Sequence, residues 1–185
     1  MTFTTVVPEL HELGGTYFTE NFSVMIAKHI FNNWSTTTGV LAKPSAMEGQ
    51  SQALEFRAGL IDDSKQLQVT VLQGNTRVGM PDGSSGYLQT GQKHNSFLTQ
   101  VLVTLRATAN VMGDISDRLR TMEYEILNIC MSYKQTAQTG NMKGIKDLIY
   151  ETGDRVYLPD DEFDKSDWRS VHSIVLWYTL ADVQS

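Results

Sequence analysis

Four histidines, one cysteine, a run of carboxylates and a scatter of glycines are the residues here whose types could do chemistry. His11, His29, His94 and His172 stand far apart, and none falls into a HExxH, HxH or Cys/His spacing that would set two ligands on one metal ion. His29 reads as a core-edge residue of a helix and His172 as a strand residue. The run Asp160-Asp161-Glu162-Phe163-Asp164 offers the oxygen ligands that a hard cation prefers, but it lacks the alternating spacing and the glycine of a calcium loop. It reads as a solvated loop, or as a negative surface that lets DNA slide past by like-charge repulsion. Gly74, Gly79, Gly83, Gly86 and Gly91 are followed by no GK[ST], so they describe turns rather than a phosphate cradle. Carboxylate pairs such as Glu9 with Glu12, or Asp117 with Glu123, fall on an arm and on a helix, where they read as surface charges. No catalytic residue, metal ligand or cofactor site is expected, and the chain reads as no enzyme.

The elements that would position any site are more sharply drawn. From Phe97 onward a strand alternates strictly, with Val101, Val103, Leu105 and Ala107 on one face and Gln100, Thr104, Arg106 and Thr108 on the other, a half-buried pattern broken only by Leu102. After a polar turn, Ile115, Leu119, Met122, Ile126, Ile129, Cys130 and Tyr133 recur at steps of three and four, the single stripe of a long amphipathic helix. Asp114 is expected to cap it and Asp117 to favour its first turn, with Gly140 closing the helical region. An earlier, shorter helix carries Phe22, Met25, Ile26, His29 and Ile30, is capped by Thr19, and ends near Trp34. Leu54, Phe56, Ala58 and Leu60, then Leu67, Val69 and Val71, predict two strands joined as a hairpin through Asp62-Asp63-Ser64-Lys65. Residues 1–17 read as an N-terminal arm and residues 73–95 as a long flap, either a loop or a hairpin through Thr76–Val78 and Tyr87–Gln89. Past Ile145 to Tyr150 and an irregular acidic segment, a last strand spans Ser170 to Val183. Ile174, Leu176, Tyr178 and Leu180 line one of its faces, while Val171, Val175 and Trp177 make the other apolar too. The expected fold class is α+β: a mainly antiparallel sheet packed by one long and one shorter helix, in a single domain over residues 1–185.

Composition narrows the partners. The 185 residues are 41% hydrophobic and 19% charged, globular values that permit a core without disulfides or metals. A formal charge of -6, with no cluster of Lys and Arg, argues against binding driven by phosphate neutralisation. Cys130 is the only cysteine, so no intrachain disulfide can form. No window approaches the ~20 apolar residues of a membrane span and the first residues lack a basic n-region, so no membrane association is expected.

The order of arm, helix, strands, flap, strand, long helix, acidic segment and final strand resembles the tail terminator proteins of tailed bacteriophages. More loosely, it resembles related neck and tail-completion subunits. The resemblance rests on FLTQVLVTLRATANVMGDISDRLRTMEYEILNIC followed by SIVLWYTLADV. It implies a structural virion protein, made in the host cytoplasm. Its form would be a homohexameric ring that caps the head-proximal end of the tail and joins tail tube to head connector, with DNA passing through the lumen unbound. A ring needs two different patches per subunit. Val171, Val175 and Trp177 are the expected first patch and the flap around Met80 and Tyr87 the second, with Asp160, Asp161, Glu162 and Asp164 facing DNA. The residues leave two alternatives open: a tail-tube or other neck subunit, or a small hydrolase-like enzyme with His94 or His172 beside carboxylates beneath the flap.

Overall fold

The computed structural model describes residues 21–37, 39–48, 53–78, 96–109, 112–133, 145–151, 153–160 and 165–179. These make an α+β structure of two helices and a six-stranded mixed sheet. The helices are α1 (Phe22–Asn33) and α2 (Met112–Met131). The strands are β1 (Leu54–Ala58), β2 (Leu67–Val78), β3 (Ser96–Ala109), β4 (Ile145–Glu151), β5 (Arg155–Asp160) and β6 (Lys165–Thr179). Strand order is β1-β2-β3-β6-β4, with β5 also pairing with β6, so β4 and β5 follow one another along the same edge of β6.

Both helices lie on one face of this sheet, called the inner face below. Alternation decides which side chains they meet: Val101, Val103, Leu105 and Ala107 of β3, and Ile174, Leu176 and Tyr178 of β6, are all buried there. The full stripe of α2, from Ile115 through Tyr133, is buried against them. Helix α1 packs on β1 and β2, where Trp34 and Phe31 meet the edge of Phe56 at ring distances of 5.0 and 5.5 Å. Its N-cap is Asn21, whose side chain accepts the Val24 N–H at 2.9 Å. Thr19, the residue expected there, lies outside the described residues.

Four expectations are corrected. Strands β1 and β2 are parallel, with Leu54 beside Leu67 and Ala58 beside Val71, where a hairpin was expected. Apolar alternation is the same in either direction, and a short polar connector reads as a turn, although parallel neighbours are usually joined by a dozen or so residues. Here Gly59, at φ +133, turns the chain out of β1 and donates to the Val71 carbonyl at 2.9 Å. Residues 60–66 then cross the outer face. Leu60, expected to continue the buried row, is 76% exposed on that crossing.

Second, β2 runs on through a bulge between Gln73 and Thr76 to Val78, which pairs with Phe97. Residues 73–78 of the expected flap are therefore strand, as the hairpin alternative had it for Thr76–Val78, and Tyr87–Gln89 lie outside the described residues. Third, Asp114 sits inside the first turn of α2 instead of capping it, and Asp117 follows one turn later, paired with Arg120 at 3.1 Å. Fourth, the acidic segment is not irregular throughout: Arg155–Asp160 form β5, antiparallel to β6 up to Asp160 beside Lys165. Residues 161–164, like Met80, Tyr87, His94, Gly140 and Leu180, lie outside the described residues.

Candidate functional site

The outer face of the sheet carries a group of apolar side chains that neither helix reaches. Register places Trp177 beside Leu98 and Val175 beside Gln100, while Val171 lies beside Thr104 and Leu102 beside Ser173. On the flanking strands Leu72 pairs with Leu102, and Ile149 with Val175. Leu72, Leu102, Ile149, Val171, Val175 and Trp177 therefore form one patch across four adjacent strands. Leu98 is buried at its margin, Leu72 is 43% exposed, and the other five are half-buried. The indole N–H of Trp177 is buried and has no acceptor. A buried donor without a partner costs about 1–3 kcal/mol.

Sequence reasoning named Val171, Val175 and Trp177 and missed the other three. The signal was present in each case. Leu102 was the single break in the alternation of β3, Leu72 follows the inward Val71 directly, and Ile149 follows the inward Leu148 directly. Consecutive apolar residues in a strand mean that both faces want cover.

At the other end of the outer face, the patch gives way to a charge-balanced cluster beneath the β1–β2 connector. Arg106 is 7% exposed and donates from Nε to Asp167 at 3.0 Å and from Nη1 to the carbonyls of Asp62 (3.3 Å) and Lys65. Arg169 meets the same Asp167 oxygen at 2.8 Å and Asp63 at 3.2 Å. Glu55, 4% exposed, lies 3.5 Å from Lys65 and 3.7 Å from Arg57, and Arg57 reaches Asp62 at 3.4 Å. The Asp62 carboxyl is held below the usual carboxylate range, first by the Ser64 hydroxyl and amide that donate to it. Four cations thus meet four carboxylates, and no net charge is left for an ionic ligand. The cluster ties the connector down.

Inside the structure, Ser170, His172 and Tyr150 form a hydrogen-bonded chain: Ser170 Oγ is 2.7 Å from His172 Nε2, and His172 Nδ1 is 2.7 Å from the Tyr150 hydroxyl. A serine beside a histidine is the arrangement of nucleophilic catalysis. Here Ser170 is 0% exposed and His172 3%, so the hydroxyl meets no solvent-borne substrate. Burial lowers the His172 pKa and pushes that of Tyr150 up to about 12, keeping both neutral. His172 is therefore more than an ordinary strand residue, yet among the described residues it is linked to no carboxylate by hydrogen bond or ion pair. Cys130, buried at 6% exposure, has its thiol pushed up to about 12 by desolvation, the opposite of a reactive cysteine. Glu125 is also buried, and its carboxylate accepts from the hydroxyls of Ser35 (2.7 Å) and Thr36 (2.5 Å), fastening the end of α1 to α2. Among the described residues no group of His, Cys, Asp or Glu side chains could hold a metal ion.

His29 carries a measurable consequence. Its Nδ1 lies 3.3 Å from the Asn33 amide nitrogen, which must donate, so the ring proton sits on Nε2, buried and without an acceptor. Burial depresses its pKa from 6.5 to about 4. The unfolded chain therefore takes up this proton first as pH falls. Stability is lost from about pH 6.5 downward until the folded pKa is reached, a loss of about 3 kcal/mol from this residue. His29→Leu is expected to flatten urea-unfolding stability between pH 6.5 and 4 by that amount. An unchanged slope would mean that the imidazole is solvated.

On the helix side of β4, a groove of about 390 Å³ separates that strand from α2, lined by Leu127, Cys130 and Met131 and by residues 147–150. Comparison with protein-family models gives no match for this chain, and comparison with curated proteins gives none either. No helix among the described residues is long and apolar enough to cross a membrane.

Proposed function

We propose that this chain is a structural virion subunit that works by assembling with copies of itself, as a tail-terminator-like ring at the junction of phage tail and head connector. The observation that carries this reading is the outer-face patch of Leu72, Leu102, Ile149, Val171, Val175 and Trp177, apolar across four strands, beyond the reach of both helices, and containing a buried indole donor without an acceptor. Such a patch on a neutral sheet face suits a permanent protein contact. The enzyme alternative finds less support: the serine and histidine that could do chemistry are closed off under α2. The virion setting rests on the order of elements and on a formal charge of -6, which disfavours binding to passing DNA.

The test is the mass of the native protein by light scattering over a dilution series, with Trp177→Asp beside it. Wild type is expected as a closed ring near six subunits. The variant should run as a folded monomer, its unfolding midpoint within about 1 kcal/mol of wild type but its self-association weakened at least ~30-fold, as expected for loss of an anchor tryptophan. Open filaments of wild type would point to a tube subunit instead. A wild-type monomer at every concentration would remove the assembly reading.

A further inference from the structure

The ring reading needs a second surface, and α2 presents one. Beyond its buried stripe, the helix carries Arg120, Tyr124, Leu127 and Met131 at steps of four, three and four, which places them on one line along its solvent side. Tyr124 is 64% exposed and Met131 74%, the second largest exposure among large hydrophobic residues here after Leu60. We infer that this line of α2 docks onto the outer sheet face of the next copy, so that each subunit gives its helix to one neighbour and its sheet to the other. The inference rests on the ring reading above and names the contact that would build it.

Two features fit the two surfaces to each other. The inner face of the sheet is already covered by amphipathic helices, and a neighbour's α2 would cover the outer face in the same way, giving the layered packing that sheets with two apolar faces adopt. At one end of the line Arg120 is held, among the described residues, by Asp117 alone, an exposed pair worth little, and the β4 border of the sheet patch presents Glu151, exposed, beside Ser173.

The experiment mixes two monomeric variants. Trp177→Asp disables the sheet surface, and the double change Tyr124→Asp with Met131→Asp disables the helix surface, both at solvent-exposed helix positions. Each variant alone should have the mass of a monomer while keeping a wild-type circular dichroism spectrum. Mixed in equal amounts, they should form a one-to-one dimer of twice that mass and no larger species, because one intact helix surface then meets one intact sheet surface. A helix variant that assembles like wild type would overturn the contact and leave the ring reading standing, as would two monomeric variants that fail to pair. Wild type that never assembles would overturn both.

Discussion

Gly153→Ala is expected to cost at least ~4 kcal/mol of stability. Gly153 lies between β4 and β5, where the edge passes from one strand to the next beside β6. A Cβ built there would fall 1.0 Å from the Val171 carbonyl oxygen, 2.0 Å from its carbon and 2.7 Å from the His172 nitrogen. All three are backbone atoms of a long, doubly paired strand, so no rotamer change relieves the contact, and either β6 or the junction must move. Movement of the junction breaks the bond from the Val171 N–H to the Asp154 carbonyl at 3.1 Å and pulls Tyr150 away from His172. Effects beyond 4 kcal/mol are exceptional and come from a short list of causes, of which forced backbone displacement in a packed sheet is one. Gly74→Ala is the control. Its Cβ would meet the Gln100 side chain at 3.4 Å and the Gln100 carbonyl at 3.5 Å, close to ordinary contact, so a loss of no more than ~1 kcal/mol is expected. Urea unfolding of both variants checks the pair. A Gly153→Ala protein within ~1 kcal/mol of wild type would mean that the junction passes β6 farther away than described.

What was legible in the sequence follows from what periodicity encodes. The alternation of β3 and the three-and-four spacing of α2 record only which side of an element is dry, and every stripe residue from Ile115 to Tyr133 is buried as expected. Direction and partner are not encoded that way. Leu54, Phe56 and Ala58 look alike in a parallel or an antiparallel pair, and what decides is Gly59 at positive φ together with the contacts of residues 60–66 to β3, which no local pattern contains. Leu102 shows the converse: it looked like a defect in an otherwise strict strand, and it lies at the centre of the candidate interface.

The polar side chains were less legible still. His172 and Ser170 are two residues apart on one strand, so their meeting on the inner face follows from strand geometry, but Tyr150 reaches them only because β4 folds back beside β6. The charged cluster is assembled from residues between positions 55 and 169, and its parts were read separately: Asp62 to Lys65 as a hairpin turn and Arg106 as a solvent-facing strand residue. Burying an arginine is expensive unless several acceptors surround it. The acceptors are Asp167 and two carbonyls of the connector, which residues 60–66 bring across the outer face on their way between two parallel strands.

That dependence makes Arg106 the second large effect. Arg106→Met keeps the aliphatic stem but removes the guanidinium. It is expected to destabilise by about 3–5 kcal/mol, the range seen when one partner of a buried ion pair is deleted. The loss has two parts. Asp167, already carrying one buried oxygen without a donor, keeps only Arg169 as its cation. The connector carbonyl of Lys65 loses the Arg106 donor, and that of Asp62 keeps the Lys65 N–H at 3.1 Å. Arg106→Lys should recover less than half, because a single ammonium cannot span Asp167 and two carbonyls as the planar fork does. A double-mutant cycle separates the parts: Asp167→Asn combined with Arg106→Met should cost less than the sum of the single changes by ~1 kcal/mol or more. Hydrogen exchange gives the spatial readout. The Thr108 amide, bonded to the Gln66 carbonyl at 2.9 Å, should lose protection in Arg106→Met ahead of the amides that join β3 to β6. Equal loss across the sheet would mean that Arg106 supports the whole core; no loss at Thr108 would mean that the connector is held without it.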